Sequence, residues 1–246
     1  MTKPLYDIIG EGYANLRRPD PRIAAAIAAA LGDARTVINI GAGAGSYEPP
    51  GRTLLAVEPS VRMIAQRPTD AAPCVSAVAE QLPVKSGAAD AAMASLTIHH
   101  WPDWRAGLAE MRRIARRRIV LFTFDPDADL FWLTRDYVPA IAALDRKWMP
   151  KIGDLAAALG PCTVTPVPVP HDCTDGFLGA YWRKPEFYLD ANLRSSISSF
   201  ALVDATAGLE ALACDLTSGA WAKANASLPH RDALDIGYRL LTWNFA

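Results

Sequence analysis

Thr36-Val37-Ile38-Asn39-Ile40-Gly41-Ala42-Gly43-Ala44-Gly45-Ser46 decides how the rest of this chain is read. It opens as a short apolar run suited to a buried strand, and the run empties directly into three alternate glycines. Glycine reaches backbone conformations closed to other residues and lets a ligand approach the main chain. After a brief crossover comes a second strand, Leu54-Leu55-Ala56-Val57, which closes in Glu58-Pro59. A carboxylate in that place can accept hydrogen bonds from a ribose diol. The pair predicts an adenosine-containing cofactor lying across the carboxyl ends of parallel strands.

Spacing narrows the cofactor. A dinucleotide fingerprint requires G-x-G-x-x-G and an acid about 20 residues further on. Here its third glycine would fall on Ser46, and Glu58 stands only 13 residues beyond Gly45. No G-K-[ST] follows for a triphosphate. The G-x-G-x-G loop, the strand-ending Glu58 and the later segment Ala79-Glu80-Gln81-Leu82-Pro83 together resemble the class I S-adenosylmethionine-dependent methyltransferases of the small-molecule type (methyltransferase type 11-like). The resemblance covers residues 6–125 and beyond 170 extends only to layout.

It implies S-adenosylmethionine as cofactor, with Asn39, Gly41, Ala42, Gly43 and Gly45 beside its methionine part. Glu58 and Pro59 then stand at the ribose, Ala79 and Glu80 at the adenine, and Leu96 at the end of the fourth strand in the same shell. Tyr13, with Arg17 or Arg18, belongs to an N-terminal arm that either faces the methionine carboxylate or simply packs on the surface. Two departures stand out. The family usually has an acid where this chain has Asn39, which implies a weaker hold on the sulfonium. The acid often seen before the A-E-x-L-P glutamate is Val78 here, so either Glu80 takes its place or backbone and packing hold the ring.

With 246 residues, 51% apolar and 21% charged, the chain can bury a large core within one compact domain. Its 25 basic and 26 acidic side chains leave a net charge of -1, so no bulk field draws a polyanion and nucleic acid is not an expected partner. Cys74, Cys162, Cys173 and Cys214 lack C-x-x-C spacing and read as reduced structural thiols. No apolar run reaches the roughly 18 residues of a membrane span, and no leader-like segment opens the chain. A soluble cytoplasmic monomer or homodimer acting on a small molecule, away from membranes, is expected.

The fold class is α/β: a Rossmann-like three-layer sandwich around a mostly parallel seven-strand sheet, with helical cap insertions. A single domain over 1–246 holds a cofactor-binding core at about 20–125 and cap insertions at about 126–150 and 171–235. Asp20 caps a first helix, Pro21 opens it, Ile23, Ile27 and Leu31 form its buried face, and Gly32 stops it. Residues 47–51 cannot hold a crossover helix, so the first two strands are joined by a compressed connection. Ser60 caps a short helix. Strands are expected at 73–79, 89–96, 119–124, 162–169 and 238–243, and helices at 104–116, 151–159 and from about Asp204. Prolines at 166, 168 and 170 push the strand 162–169 to an edge. Arg112, Arg113, Arg116 and Arg117 end the helix 104–116 and read as its solvated surface rather than a polyanion site.

Methyl transfer from a sulfonium is an in-line displacement, helped mainly by alignment and exclusion of water. A base is required only where the acceptor must lose a proton, and His99, His100 and His171 are the candidates. His100, at a strand's carboxyl end, is either that base or a packing residue of the cofactor shell. His171 follows the sixth strand and can reach the same cleft. His99 and His100 are adjacent, which turns their side chains apart, and no H-x-x-x-H or C-x-x-C set accompanies them, so no metal is expected. There is no G-x-S-x-G elbow, and no N/D-P-P-Y/F tetrad, which the family uses on exocyclic amines. Trp132, Tyr137, Trp148, Tyr181 and Trp182 fall in the two insertions, where they either line an acceptor pocket or knit the cap together. The expected activity is methyl transfer from S-adenosylmethionine to oxygen or nitrogen of a small organic metabolite. The alternatives are another reaction of that cofactor, aminocarboxypropyl transfer or cyclisation, or a non-catalytic cofactor-binding protein.

Overall fold

The computed structural model describes residues 17–128 and 131–245. Helix α1 (Pro21–Leu31) forms as its sequence dictates: Asp20 accepts the Arg22 N–H at 2.9 Å, Pro21 fills the first turn, and Ile23, Ile27 and Leu31 are buried. Strand β1 (Val37–Ile40) is buried at every position, and β2 (Thr53–Val57) lies parallel beside it. No helix lies between them. Tyr47 covers the sheet instead. At φ 62° it turns inward, its ring meets Phe122 edge-on with centroids 6.0 Å apart, and its hydroxyl donates to Asp175 at 2.8 Å.

Helix α2 (Val61–Ile64) starts at Ser60, whose hydroxyl accepts the Met63 N–H. Strand β3 (Cys74–Val75) is shorter than the expected 73–79. Its ladder with β2 ends where that strand runs into Pro59, which has no N–H to offer. Strands β4 (Ala89–Ser95) and β5 (Ala115–Phe124) are joined through α3 (Trp104–Ile114). Helix α3 therefore stops short of residue 116, and Arg116 and Arg117 are strand residues, not a helical surface. Extended backbone sends successive guanidinium groups to different neighbours. Arg116 bonds Asp90 at 2.8 Å and the Gly87 carbonyl at 2.9 Å, Arg117 pairs with Asp33 at 3.0 Å, and Arg118 reaches Asn244 at 2.8 Å. The arginine run staples the sheet's amino-terminal edge.

Helices α4 (Pro139–Trp148) and α5 (Ile152–Leu159) precede β6 (Thr163–Pro166). The single strand expected over 162–169 is split at Pro168, which cannot donate to the ladder. Its second part, β7 (Val169–Pro170), pairs with β8 (Ala233–Leu234) in a separate ribbon. Between those two strands lie α6 (Ala191–Ser195), α7 (Ser198–Leu202), α8 (Thr206–Ser218) and α9 (Ala220–Ala224). Strand β9 (Tyr238–Asn244) returns antiparallel between β5 and β6.

The seven-stranded sheet has the order β3-β2-β1-β4-β5-β9-β6, with only β9 reversed, which is the Rossmann-like arrangement expected. Because β1 has β2 on one side and β4 on the other, the strand order reverses there and a crevice opens at their carboxyl ends. Alternation along β5 assigns the two faces. Ile119 and Leu121 pack with Leu108 and Met111 of α3, whereas Val120 and Phe122 pack with Ile27 of α1 and with Phe131 and Trp132 of the cap. Sheet and cap thus share one apolar interior. Within it Trp132 donates its indole N–H to the Trp182 carbonyl at 2.8 Å, and Trp182 donates to the Val169 carbonyl at 2.9 Å. Tyr137 donates to Asp215 at 2.8 Å, and Tyr181 packs on Phe187 and Tyr188. These four aromatic residues knit the cap together and stand off the cleft wall. Among the described residues no helix is long and apolar enough to cross a membrane.

Candidate functional site

A cleft of about 430 Å³ occupies the crevice at the switch point. The glycine loop forms its floor. Gly41 has φ 64°, Gly43 has φ 53°, and a Cβ added at Gly41 would overlap the Thr97 side chain. At Gly43 the nearest atom to such a Cβ is Met63 Cε at 3.4 Å, the mobile end of a side chain. Gly41→Ala and Gly43→Ala each carry the left-handed penalty of about 1–2 kcal/mol. Gly41→Ala must also displace Thr97, so its melting temperature is expected to fall several degrees further; equal melting temperatures would rule out close packing at Gly41. Gly45, at φ 97°, closes the loop through its N–H to the Ala42 carbonyl at 2.9 Å and stands behind the wall that Gly41, Ala42 and Gly43 form.

Glu58 ends β2 as a buried carboxylate on the cleft wall, beside Pro59. One oxygen accepts the Gly43 N–H at 2.8 Å and the other the Ser60 N–H at 2.9 Å, so the acid ties the loop to the start of α2. Val78, Ala79 and Glu80 form the adjoining wall. Glu80 also accepts the Asp103 N–H at 3.1 Å, which fixes it to the start of α3.

Asn39 lies under the loop, and a carboxylate stands behind its amide. Its Nδ2 donates to Glu48 at 3.1 Å, and Glu48 is held by both Nη atoms of Arg67 at 2.9 Å. The acid absent from β1 is thus supplied from the crossover, with its charge offset by Arg67. Asn39 Oδ1 and, at the end of β4, Ser95 Oγ are buried without a partner among the described residues. Leu96 follows Ser95 at φ 51°, on the cleft wall.

Arg17 reaches the cleft from the start of the described chain and is paired with Asp175 at 2.6 Å. Arg18 is exposed and off the wall, and Tyr13 lies outside the described residues. His99 and His100 sit in a 3-10 turn, Ile98–His100, directly after β4, and both line the cleft. The tight turn brings their rings together, centroids 3.9 Å apart, whereas adjacency in sequence alone turns such side chains apart. His171 does not join them. Because β7 pairs with β8 instead of prolonging β6, His171 is carried to the cap surface, where its Nδ1 lies 3.2 Å from the Asp232 carbonyl. The wall is completed by Trp148 at the end of α4 and Leu202 at the end of α7. Of the five aromatics singled out in the sequence, Trp148 alone reaches it. Tyr47, Asp175 and Leu202 had no signal that sequence reading used, although Tyr47 stands in the helix-less crossover where some buried group was needed. Among the described residues no cluster of His, Cys, Asp or Glu is placed to hold a metal.

Burial, and secondarily the charge of Arg17, pushes His100 down from 6.5 to about 4, and burial, with the neighbouring His100 next, holds His99 well below its ordinary value. Both rings are therefore uncharged at neutral pH. As pH falls from 6.5 the unfolded chain takes up these protons before the folded one does. Their contribution to stability is full above 6.5 and lost progressively as pH falls toward 4. The slope approaches about 1.4 kcal/mol per pH unit for each histidine. Urea unfolding at a series of pH values checks this, and His100→Gln is expected to flatten the dependence; a dependence unchanged by the substitution refutes it.

A methyltransferase-domain family model matches residues 38–122. No curated protein matches the chain. Among solved structures, a proposed methyltransferase from an antibiotic biosynthesis pathway of Anabaena variabilis is 34% identical, with 94% of this chain and 99% of that one aligned at a TM-score of 0.85. An S-adenosylmethionine-dependent methyltransferase of Thermotoga maritima is 19% identical over 67% of this chain and 84% of its own, at a TM-score of 0.54. Geranyl diphosphate C-methyltransferase of Streptomyces coelicolor is 17% identical over 92% of this chain and 77% of its own, at 0.51. The last two carry the fold alone. The first aligns along nearly its whole length at an identity that distant fold relatives do not reach, and with it the glycine loop, the strand-ending acid and the sheet order find one explanation: this chain belongs to the class I S-adenosylmethionine-dependent methyltransferases.

Proposed function

We propose that this cleft binds S-adenosylmethionine and moves its methyl group to oxygen or nitrogen of a small organic metabolite. The observation that carries the reading is the convergence of Gly41, Gly43, Glu58, Ala79 and the histidine turn on one cleft at the switch point. The residues fit the cofactor. Glu58 is a buried carboxylate on the wall whose oxygens accept main-chain N–H groups, the acceptor chemistry a ribose diol needs. Val78, Ala79 and Pro102 offer apolar walls for a purine, and Glu80 stands beside them. Asn39 Oδ1 and Ser95 Oγ are unused polar capacity near the loop, and Arg17 is the cation in reach of a methionine carboxylate.

When bound, the cofactor supplies an electrophilic methyl whose transfer leaves the bonding electron pair on sulfur. The chain's part is alignment and exclusion of water. Leu96 and Thr97 close the floor, and Trp148 and Leu202 cover the mouth from the cap. His100, uncharged at neutral pH, is the group proposed to take a proton where the acceptor has one to lose. The relative named for antibiotic biosynthesis supports a secondary metabolite as acceptor.

The test is incubation with S-adenosylmethionine and a metabolite extract, read by mass spectrometry. S-adenosylhomocysteine with a methylated partner is the expected outcome. Methylthioadenosine in its place would reassign the reaction to aminocarboxypropyl transfer, and binding of NAD with none of S-adenosylmethionine would end the reading.

A further inference from the structure

The charged side chains on the cleft wall are engaged. Arg17 is paired with Asp175, Glu58 accepts from Gly43 and Ser60, and Glu80 accepts from Asp103. No lysine lines the cleft among the described residues. His99 is different. Its Nδ1 is shut off from solvent and has no partner, so Nε2 is the nitrogen left to face the cleft that the residue lines. Burial keeps the ring uncharged at neutral pH. With no hydrogen bond at Nδ1 to fix the tautomer, Nε2 can either donate or accept.

A hydroxyl suits both tautomers, since it donates and accepts. A carboxylate only accepts and an ammonium only donates, and either ion would shed its water against an uncharged ring with no counter-charge left to receive it. The opposite requirement is written around the mouth. Trp148 is 47% exposed, Leu202 37% and Val78 48%, although all three line the cleft. Large apolar side chains left open around a concave site mark where an apolar ligand surface is covered. Helices α4 and α7, which end in Trp148 and Leu202, pack on each other, so the two side chains come from one part of the cap.

Taking the methyltransferase reading as given, we propose that the acceptor is an uncharged, largely apolar hydroxy compound. Its hydroxyl is hydrogen-bonded to His99 Nε2, and its apolar body lies against Trp148 and Leu202. An O–CH3 bond forms as the C–S bond breaks, sulfur keeps the electron pair, and the hydroxyl, positioned by His99 Nε2, gives its proton to His100, which also lines the cleft.

The experiment is calorimetric titration of protein saturated with S-adenosylhomocysteine, using 2-naphthol, 2-naphthoate and 2-naphthylmethylammonium as probes. The alcohol is expected to bind at least about tenfold more tightly than either ion. His99→Leu removes that preference, His99→Gln restores most of it because its amide reaches the place of Nε2, and Trp148→Ala weakens all three probes. Thermal melting within a few degrees of the unaltered protein shows the His99 variants folded. Equal or tighter binding of an ion, no binding of 2-naphthol, or a His99→Leu variant that keeps the preference overturns the proposal alone. Failure of the unaltered protein to bind S-adenosylhomocysteine overturns the cofactor reading, and this proposal with it.

Discussion

Glu58→Ala is expected to weaken S-adenosylhomocysteine binding by about a hundredfold or more and to reduce turnover below detection. Glu58 is buried to 6% exposure, and its oxygens hold the N–H groups of Gly43 at 2.8 Å and Ser60 at 2.9 Å. Under the proposed reading the same carboxylate meets the ribose, so the substitution removes ligand contacts and the anchor of the loop together. Hydrogen bonds to a charged group contribute about 1.5–3 kcal/mol each, and losing two accounts for a hundredfold. Glu58→Gln separates the effects. Its amide oxygen keeps one main-chain contact and its NH2 loses the other, so melting is expected to fall less than in Glu58→Ala while affinity still falls roughly tenfold. Calorimetry reads the affinity and thermal melting the stability. Unchanged affinity in Glu58→Ala would refute the ribose assignment.

The glycine-loop side of the cleft was legible because it is built locally. Gly41, Gly43, Glu58, Pro59 and Ala79 each sit at or just past the end of a strand whose partner is close in sequence, and strand-then-loop spacing reports such neighbours directly. The opposite side is assembled from distant places. Trp148 and Leu202 end two cap helices, and the hydrogen bond from Tyr47 to Asp175 spans 128 residues. Sequence patterns carry no record of such meetings. The aromatics of the cap misled for a related reason. A large ring gains most from complete burial, so Trp132 and Trp182, both with indole N–H groups satisfied inside the cap, became its core, while Trp148 at a helix end stayed half open. His171 went astray through one backbone detail, the proline that ends the ladder of β6 and sends β7 to another partner. The arginine run was misplaced by the absence of a loop between α3 and β5: a periodic pattern running straight into a strand shows no boundary residue.

Asp175→Asn should destabilise the protein by roughly 3–5 kcal/mol, because it leaves the Arg17 guanidinium buried without its counter-charge. Asp175 has no solvent exposure. It accepts from Arg17 Nε at 2.6 Å and from the Tyr47 hydroxyl at 2.8 Å, and the Arg17 side chain is itself only 10% exposed. One residue earlier the same segment is sewn down again. Thr174 donates its N–H to the buried Asp20 at 3.2 Å, and Asp20 holds Arg22, which reaches Asp172 at 2.7 Å. Asp175 is therefore where the cap, the approach to α1 and the residue after the glycine loop meet, and an amide in its place can satisfy geometry but not charge. For a chain of this size the loss corresponds to a fall in melting temperature of about 10 °C. The exposed pair Arg117–Asp33, at 48% and 75% exposure, supplies the internal control. Asp33→Asn is expected to cost no more than about 1 kcal/mol. Replacing both members of the buried pair, Arg17→Met with Asp175→Leu, should recover a good part of the stability lost in Asp175→Asn, since no unpaired charge remains. Cofactor affinity should stay low, because the cation proposed for the methionine carboxylate is gone. A double variant that regains stability and binds S-adenosylhomocysteine normally would leave Arg17 a strut of the fold with no part in holding the ligand.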